Sequence, residues 1–86
     1  MAPSASVKIR LYVGRDCHLC EIARGELERL RGELGFELEE VDITGDPELE
    51  RRYRALLPVV EADGEQIAVF RVDEAEIRAR TNPESP

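Results

Sequence analysis

The sequence predicts an α/β fold: a four-stranded mixed sheet with helices on both faces. Three observations point to it. Over residues 7–43 the spacing of apolar side chains changes from two, to three or four, and back, which reads as strand, helix, strand. Asp63-Gly64 separates two apolar runs, the strongest short signal of a hairpin. Two further helix starts carry their own caps, Asp46-Pro47 and Asp73 followed by Glu76.

Val7, Ile9, Leu11 and Val13 alternate with Lys8, Arg10 and Tyr12, giving a strand with one apolar face that Gly14 ends. From Leu19 the period lengthens. Leu19, Ile22, Ala23, Leu27, Leu30 and Leu34 share one helical face. Arg24 with Glu28 and Arg29 with Glu33 stand four apart on the wet face. Gly25 and Gly32 weaken this helix, and Gly35 suits its stop. Phe36 to Ile43 reads as the second strand, with its alternation slipping at Glu39-Glu40. Asp46 then caps the free amides of a second helix and Pro47 fits its first turn, where no amide is needed. Leu49, Tyr53 and Leu56 or Leu57 form its apolar stripe. Pro58 to Ala62 and Gln66 to Val72 are the hairpin strands, and Asp73 opens a last helix through Ile77 to about Arg80.

The first three elements suit a right-handed parallel crossover, and the last two strands pair antiparallel. Residues 7–80 thus form one domain, with 1–6 and 81–86 as flexible tails. One tension accompanies this topology. A central strand covered on both sides should be apolar on both faces, yet Lys8 and Arg10 occupy one face of the first strand. That face is expected to be only partly covered.

Composition narrows the function. The chain has 86 residues, 42% apolar and 36% charged, with a formal net charge of −7. Such an acidic chain repels phosphate backbones and anionic membranes, and it has no Lys/Arg run. No stretch approaches the ~18 apolar residues of a membrane span. Residues 1–6 lack the basic start and apolar run of a secretory signal, so a cytoplasmic protein is expected. In that compartment a cysteine pair does not serve as a permanent staple.

The sharpest signal is Cys17-His18-Leu19-Cys20, placed between a strand and the start of a helix. Cysteines three apart at a helix start lie on one face and can close a small ring. The first meets unpaired amides and the positive end of the helix dipole. A thiolate is favoured there, so the Cys17 pKa should fall, toward the ~7 of thioredoxin-like sites. Cys20, one turn inside, is more shielded. Cys17 is therefore the expected nucleophile and Cys20 the resolving thiol. Three neighbours tune the pair in opposing senses. A cationic His18 or Arg15 would favour the thiolate, Asp16 disfavours it, and the helix start disfavours a cation at His18. Other readings of the two cysteines are a zinc or cluster site shared by a dimer, an inert buried pair and a static disulfide. No metal site is expected within one chain, because two cysteines and one histidine fall short of four ligands.

At these residues the chain resembles the glutaredoxins, and more closely a small bacterial glutaredoxin-like family. The matching features are Leu11-Tyr12 leading into Cys17-His18-Leu19-Cys20, then Glu39-Glu40-Val41-Asp42-Ile43, Asp46-Pro47-Glu48-Leu49, Tyr53, Pro58-Val59-Val60 and Asp63-Gly64. The resemblance implies a thioredoxin-like fold and thiol–disulfide oxidoreductase activity in cell redox homeostasis. It also implies a cis peptide bond before Pro58, so that the backbone of Leu57, Pro58 and Val59 faces the dithiol and a bound substrate. Partners would be a disulfide-containing protein or a small thiol, with a reductase or glutathione as electron source and no bound cofactor. The pattern departs from typical glutaredoxins in two places. His18-Leu19 replaces Pro-Tyr between the cysteines, and Phe70-Arg71-Val72-Asp73 keeps only the Asp of a Gly-Gly-Asp segment that helps hold glutathione. Glutathione is thereby a weak or uncertain donor, though Arg71 or the helix start at Asp73 offers a place for a carboxylate. The rival functions are a binding or adaptor module with little turnover, and metal or cluster binding by a dimer.

Overall fold

Alternate residues of the first strand face two different cores, and that division organises the computed structural model, which describes residues 7–81. Strand β1 (Lys8–Val13) lies inside the sheet, in the order β2-β1-β3-β4. It runs parallel to β2 (Glu37–Asp42) and antiparallel to β3 (Val59–Ala62), which pairs antiparallel with β4 (Glu65–Val69). Helix α1 (His18–Leu34) joins β1 to β2, and α2 (Pro47–Tyr53) with a short 3-10 turn (Arg54–Leu56) joins β2 to β3. Helix α3 (Glu74–Thr81) follows β4. The mixed sheet with three α-helices is the α/β architecture that the element order predicts, and it takes the thioredoxin-like form that the resemblance implies.

One face of β1 presents Ile9, Leu11 and Val13 to Cys20, Ala23, Leu27 and Leu30 of α1 and Ile77 of α3. Ile9, Leu27, Leu30 and Ile77 are completely buried, each such side chain contributing about 1.5–3 kcal/mol. The other face packs Tyr12, Ile43 and Val59 beneath Tyr53 of α2. Helix α2 has only seven residues, too few to cover this face to its far end. Lys8 and Arg10 emerge there and pair with Glu39. The polar half of β1 is thus accommodated by a short helix, and the expected partial cover is the observed one.

At the boundary of the covered region stands Glu61, a buried carboxylate 8% exposed. It accepts hydrogen bonds from the hydroxyls of Tyr12 at 3.3 Å and Tyr53 at 3.4 Å, and Arg10 lies 3.7 Å away. The two rings stack with centroids 4.2 Å apart. Burial, the hydrogen bond with Tyr12 and the Glu61 charge together push the Tyr53 phenol above its usual range. The group fastens α2 to β1 and β3, and so fixes the chain that leads into residues 57–59.

Turn chemistry matches the sequence. Asp46 accepts from the amides of Glu48 and Leu49. Asp63 and Gly64 both have positive φ, 50° and 89°, as a two-residue type I′ hairpin requires. Asp73 accepts from Glu76 N–H at 3.1 Å. Four expectations need correction. Leu19 and Ile22 are about half exposed, because Cys20 and Ala23 occupy the buried row and Ile22 lies one residue, about 100° of rotation, from Ala23. Arg24 and Arg29 do not pair within α1; they reach Glu40 and Glu74, while Glu33 pairs with Arg78, so these charges join α1 to β2 and α3. Strand β4 ends at Val69 rather than Val72, since Phe70 turns to φ 72°. Thr81 belongs to α3 rather than to a tail, its hydroxyl donating to Ile77 O at 2.9 Å. Residues 1–6 and 82–86, expected as tails, lie outside the described residues.

Two predictions follow from this packing. A Cβ built on Gly25 or Gly32 meets nothing within 4 Å. Gly25→Ala and Gly32→Ala are each expected to raise the unfolding free energy by roughly 0.5–1 kcal/mol, measured by urea denaturation; a loss would show that these positions are crowded. Arginine hydrogen bonds hold Glu33, Glu39, Glu65 and Glu74 below the ordinary 4.5. Thr44 does the same for Asp42, below 3.8. Depressed carboxyl values stabilise the fold above the unfolded values, and that contribution is lost as the pH falls through the folded ones. The urea midpoint should therefore be level from neutrality to about pH 5 and decline in more acidic solution. A midpoint that rises on acidification would contradict the arrangement.

Candidate functional site

The C-terminal end of β1 delivers the chain to a tight turn. Gly14 lies so close to Leu57 that an added Cβ would stand 2.6 Å from Leu57 Cδ1, and only glycine leaves that side chain in place. Asp16 then takes φ 55°, a left-handed conformation that short polar residues tolerate. This reversal sets Cys17 at the N-cap of α1 with extended backbone, φ −112° and ψ 100°. Its sulfur accepts from the Cys20 amide at 3.1 Å, while its carbonyl accepts from Glu21 N–H at 3.2 Å. A sulfur therefore takes the capping role usually filled by a serine or aspartate oxygen.

Cys17 and Cys20 are joined as a disulfide, with Cα atoms 5.2 Å apart, inside the usual range. Their exposures differ. Cys17 is half-buried, whereas Cys20 is 2% exposed and packs with Leu27 and Val60 in the larger core. The outer sulfur is the one next to the helix-end amides. His18 and Arg15 are exposed around it.

Two depressions flank the dithiol. The first, about 370 Å³, is lined by Arg15, Asp16, Cys17, Thr44, Arg54 and Leu57. The Leu57–Pro58 bond is cis. Leu57 thus shares a cavity with Cys17, Pro58 is buried behind it, and Val59 lies wholly within the core opposite Tyr12. Thr44 is placed by its own N–H, which donates to Asp42 at 2.9 Å. Arg54 pairs with Glu50 at 3.6 Å.

The second depression, about 270 Å³, runs between α1 and the segment after β4, and Leu19, Ile22, Glu26, Phe70 and Arg71 line it. Phe70 holds φ 72° while its N–H donates to Pro58 O at 2.7 Å and Leu56 O at 3.2 Å. Left-handed backbone costs about 1–2 kcal/mol for a residue with a Cβ. Asp73 is committed to capping α3, so of the two residues expected at the last helix start Arg71 is the one that faces the depression. Among the described residues no group of three or more His, Cys, Asp or Glu side chains is arranged to hold a metal ion, and no helix is long and apolar enough to cross a membrane.

The structure thus brings Cys17, Arg15, Asp16 and Leu57 to one cavity, sets Arg71 in the other, and keeps Val59 and Asp73 for structure. Thr44 and Arg54 are site residues that the sequence reading passed over, and Gly14 and Phe70 appeared there only as a strand end and as part of a strand. Phe70 carried a signal, since it stands where the resemblance has a Gly-Gly pair.

Comparison with known proteins agrees with this geometry. A family described as "Glutaredoxin-like domain (DUF836)" matches residues 8–81. The uncharacterized protein Rv0508 of Mycobacterium tuberculosis is 32% identical over 77 residues, covering 84% of this chain and 79% of that one. The solution structure of protein Ne2328 from Nitrosomonas europaea superposes with a TM-score of 0.77 at 30% identity, covering 90% of this chain and 93% of the other. Chlamydomonas reinhardtii thioredoxin f2 shares the fold at a TM-score of 0.69 and 16% identity, covering 92% and 82%. A cysteine pair at the tip of the first helix of a thioredoxin fold, together with a match over nearly the whole chain, establishes that this protein belongs to the glutaredoxin-like (DUF836) family.

Proposed function

We propose that this protein is a thiol–disulfide oxidoreductase that works through Cys17 and Cys20 in a reducing, cytoplasmic setting. The observation that carries the reading is the amide of Cys20 aimed at the half-buried sulfur of Cys17, with the Cys20 sulfur closed off behind it. An N–H donor and the positive helix end favour negative charge on that outer sulfur. An inert buried pair would need neither the partial exposure nor the cap. A static staple would gain little from closing so short a loop.

In the reduced protein, Cys17 thiolate attacks one sulfur of a substrate disulfide. The substrate S–S bond breaks, one thiolate leaves and takes a proton from water, and Cys17 is left in a mixed disulfide. Cys20 loses its proton and attacks the Cys17 sulfur, releasing the second substrate thiol and closing the disulfide. Two electrons pass from the dithiol to the substrate. A thiol reductant, either glutathione or the dithiol of a reductase, returns them in the reverse sense. Arg15, exposed at the edge of the adjoining cavity, suits a substrate or donor that carries a carboxylate, whereas Arg54 there is already paired with Glu50.

Cys17→Ser is expected to reduce turnover of a model disulfide, with dithiothreitol as donor, to the uncatalysed background. Cys20→Ser should instead accumulate a mixed disulfide at Cys17, seen as a mass increase equal to the substrate half. Activity that survives Cys17→Ser would exclude the mechanism. Wild-type protein that neither reduces any disulfide nor forms the adduct, yet retains a protein partner, would establish the binding-module reading instead.

A further inference from the structure

Strand β3 reads Val59, Val60, Glu61, Ala62 and is buried at every position. Among the described residues Glu61 is the one charged side chain that is buried. An apolar residue there would close the same face without taking a carboxylate out of water. The carboxylate instead accepts hydroxyls from two other elements, Tyr12 of β1 and Tyr53 at the end of α2. The two rings are stacked within 17° of parallel, which brings both hydroxyls to one side chain.

The three elements so joined are the ones that lead to the dithiol. Tyr12 lies on the strand that runs through Gly14 into Cys17, Tyr53 ends the helix that runs through the 3-10 turn into Leu57, and Glu61 follows Pro58 on β3. Little slack exists where these segments meet. Leu57 packs against both cores, and beside its Cδ1 there is no room for a Cβ on Gly14. A displacement of α2 against β1 is therefore passed on to Leu57 and Gly14, which line one cavity with Cys17.

We infer that Glu61 is a positioning residue for dithiol exchange: by holding Tyr12 and Tyr53 together it sets the separation between the Gly14–Cys17 turn and Leu57, and with it the approach open to a disulfide at Cys17. It touches no reacting atom and acts through the two chain segments that it ties. The inference rests on the exchange reading and adds no chemical step to it.

The test measures the rate constant for reduction of a model disulfide by the pre-reduced full chain as a function of pH. It compares wild type, Glu61→Leu, Glu61→Gln and Tyr53→Phe, each at a temperature where circular dichroism shows it folded. At the alkaline plateau Cys17 is fully ionised, so the rate reports geometry rather than thiolate fraction. Glu61→Leu is expected to lower that plateau about tenfold, Tyr53→Phe by about threefold, and Glu61→Gln, which keeps an acceptor for a hydroxyl, by no more than about twofold. Tyr53→Phe keeps the ring stack and one of the two hydrogen bonds, so it decides the matter should Glu61→Leu not fold. A plateau at or above the wild-type value in either of these two variants overturns the inference and leaves dithiol exchange standing. A loss in Glu61→Gln as large as that in Glu61→Leu also overturns it, because the hydrogen bonds would then not be the cause. Failure of wild-type protein to reduce the disulfide overturns the exchange reading and the inference together.

Discussion

At the tip of α1, the amide of Cys20 points at the sulfur of Cys17 from 3.1 Å. A helix start leaves its first amides unpaired, and here a sulfur accepts one of them. The rest of the architecture serves to hold that sulfur at the tip and within reach of solvent. Strand β1 ends in the turn that contains Gly14, and Leu57 rests against that glycine. Helix α1 is anchored along Cys20, Ala23, Leu27 and Leu30, so the tip cannot drift from the sheet. Inner and outer sulfurs therefore differ by placement rather than by chemistry: one is a core residue, the other a cap.

The two faces of the sheet divide the labour. Helices α1 and α3 seal the face beneath the dithiol with aliphatic side chains. The opposite face is finished by a polar arrangement, in which Glu61 takes the hydroxyls of the stacked Tyr12 and Tyr53. A buried carboxylate is tolerable only with such partners. The arrangement fixes α2, hence the 3-10 turn after it, and so the course of Leu57 and Pro58 toward Cys17. Arginine–glutamate pairs between α1, β2 and α3 tie the outer surfaces together.

Much of this could be read from the chain, because the relevant signals are local. Asp46-Pro47, Asp63-Gly64 and Asp73 each set a backbone conformation through their own chemistry, and the structure holds all three where the sequence places them. Cys17 is legible for the same reason, since an N-cap is defined by the residues that follow it. What escaped depends on distant neighbours. Leu19 and Ile22 fit a helical stripe, yet whether a stripe is buried depends on what lies opposite, and here α1 turns Cys20 to the sheet instead. Arg24 and Arg29 had suitable partners four residues on and found others across the fold. The end of β4 at Phe70 follows from carbonyls at Leu56 and Pro58, which no local pattern reveals. The crowding at Gly14 is likewise a contact with residue 57.

The account depends on the helix end lowering the proton affinity of one sulfur. The direct measurement is the pH dependence of alkylation of Cys17 in the reduced protein, with the modified residue located by mass spectrometry. The account predicts an apparent pKa for Cys17 clearly below the ~8.5 of a free cysteine, with Cys20 reacting more slowly throughout. A Cys17 value at or above that of a free thiol, or faster modification of Cys20, would contradict it.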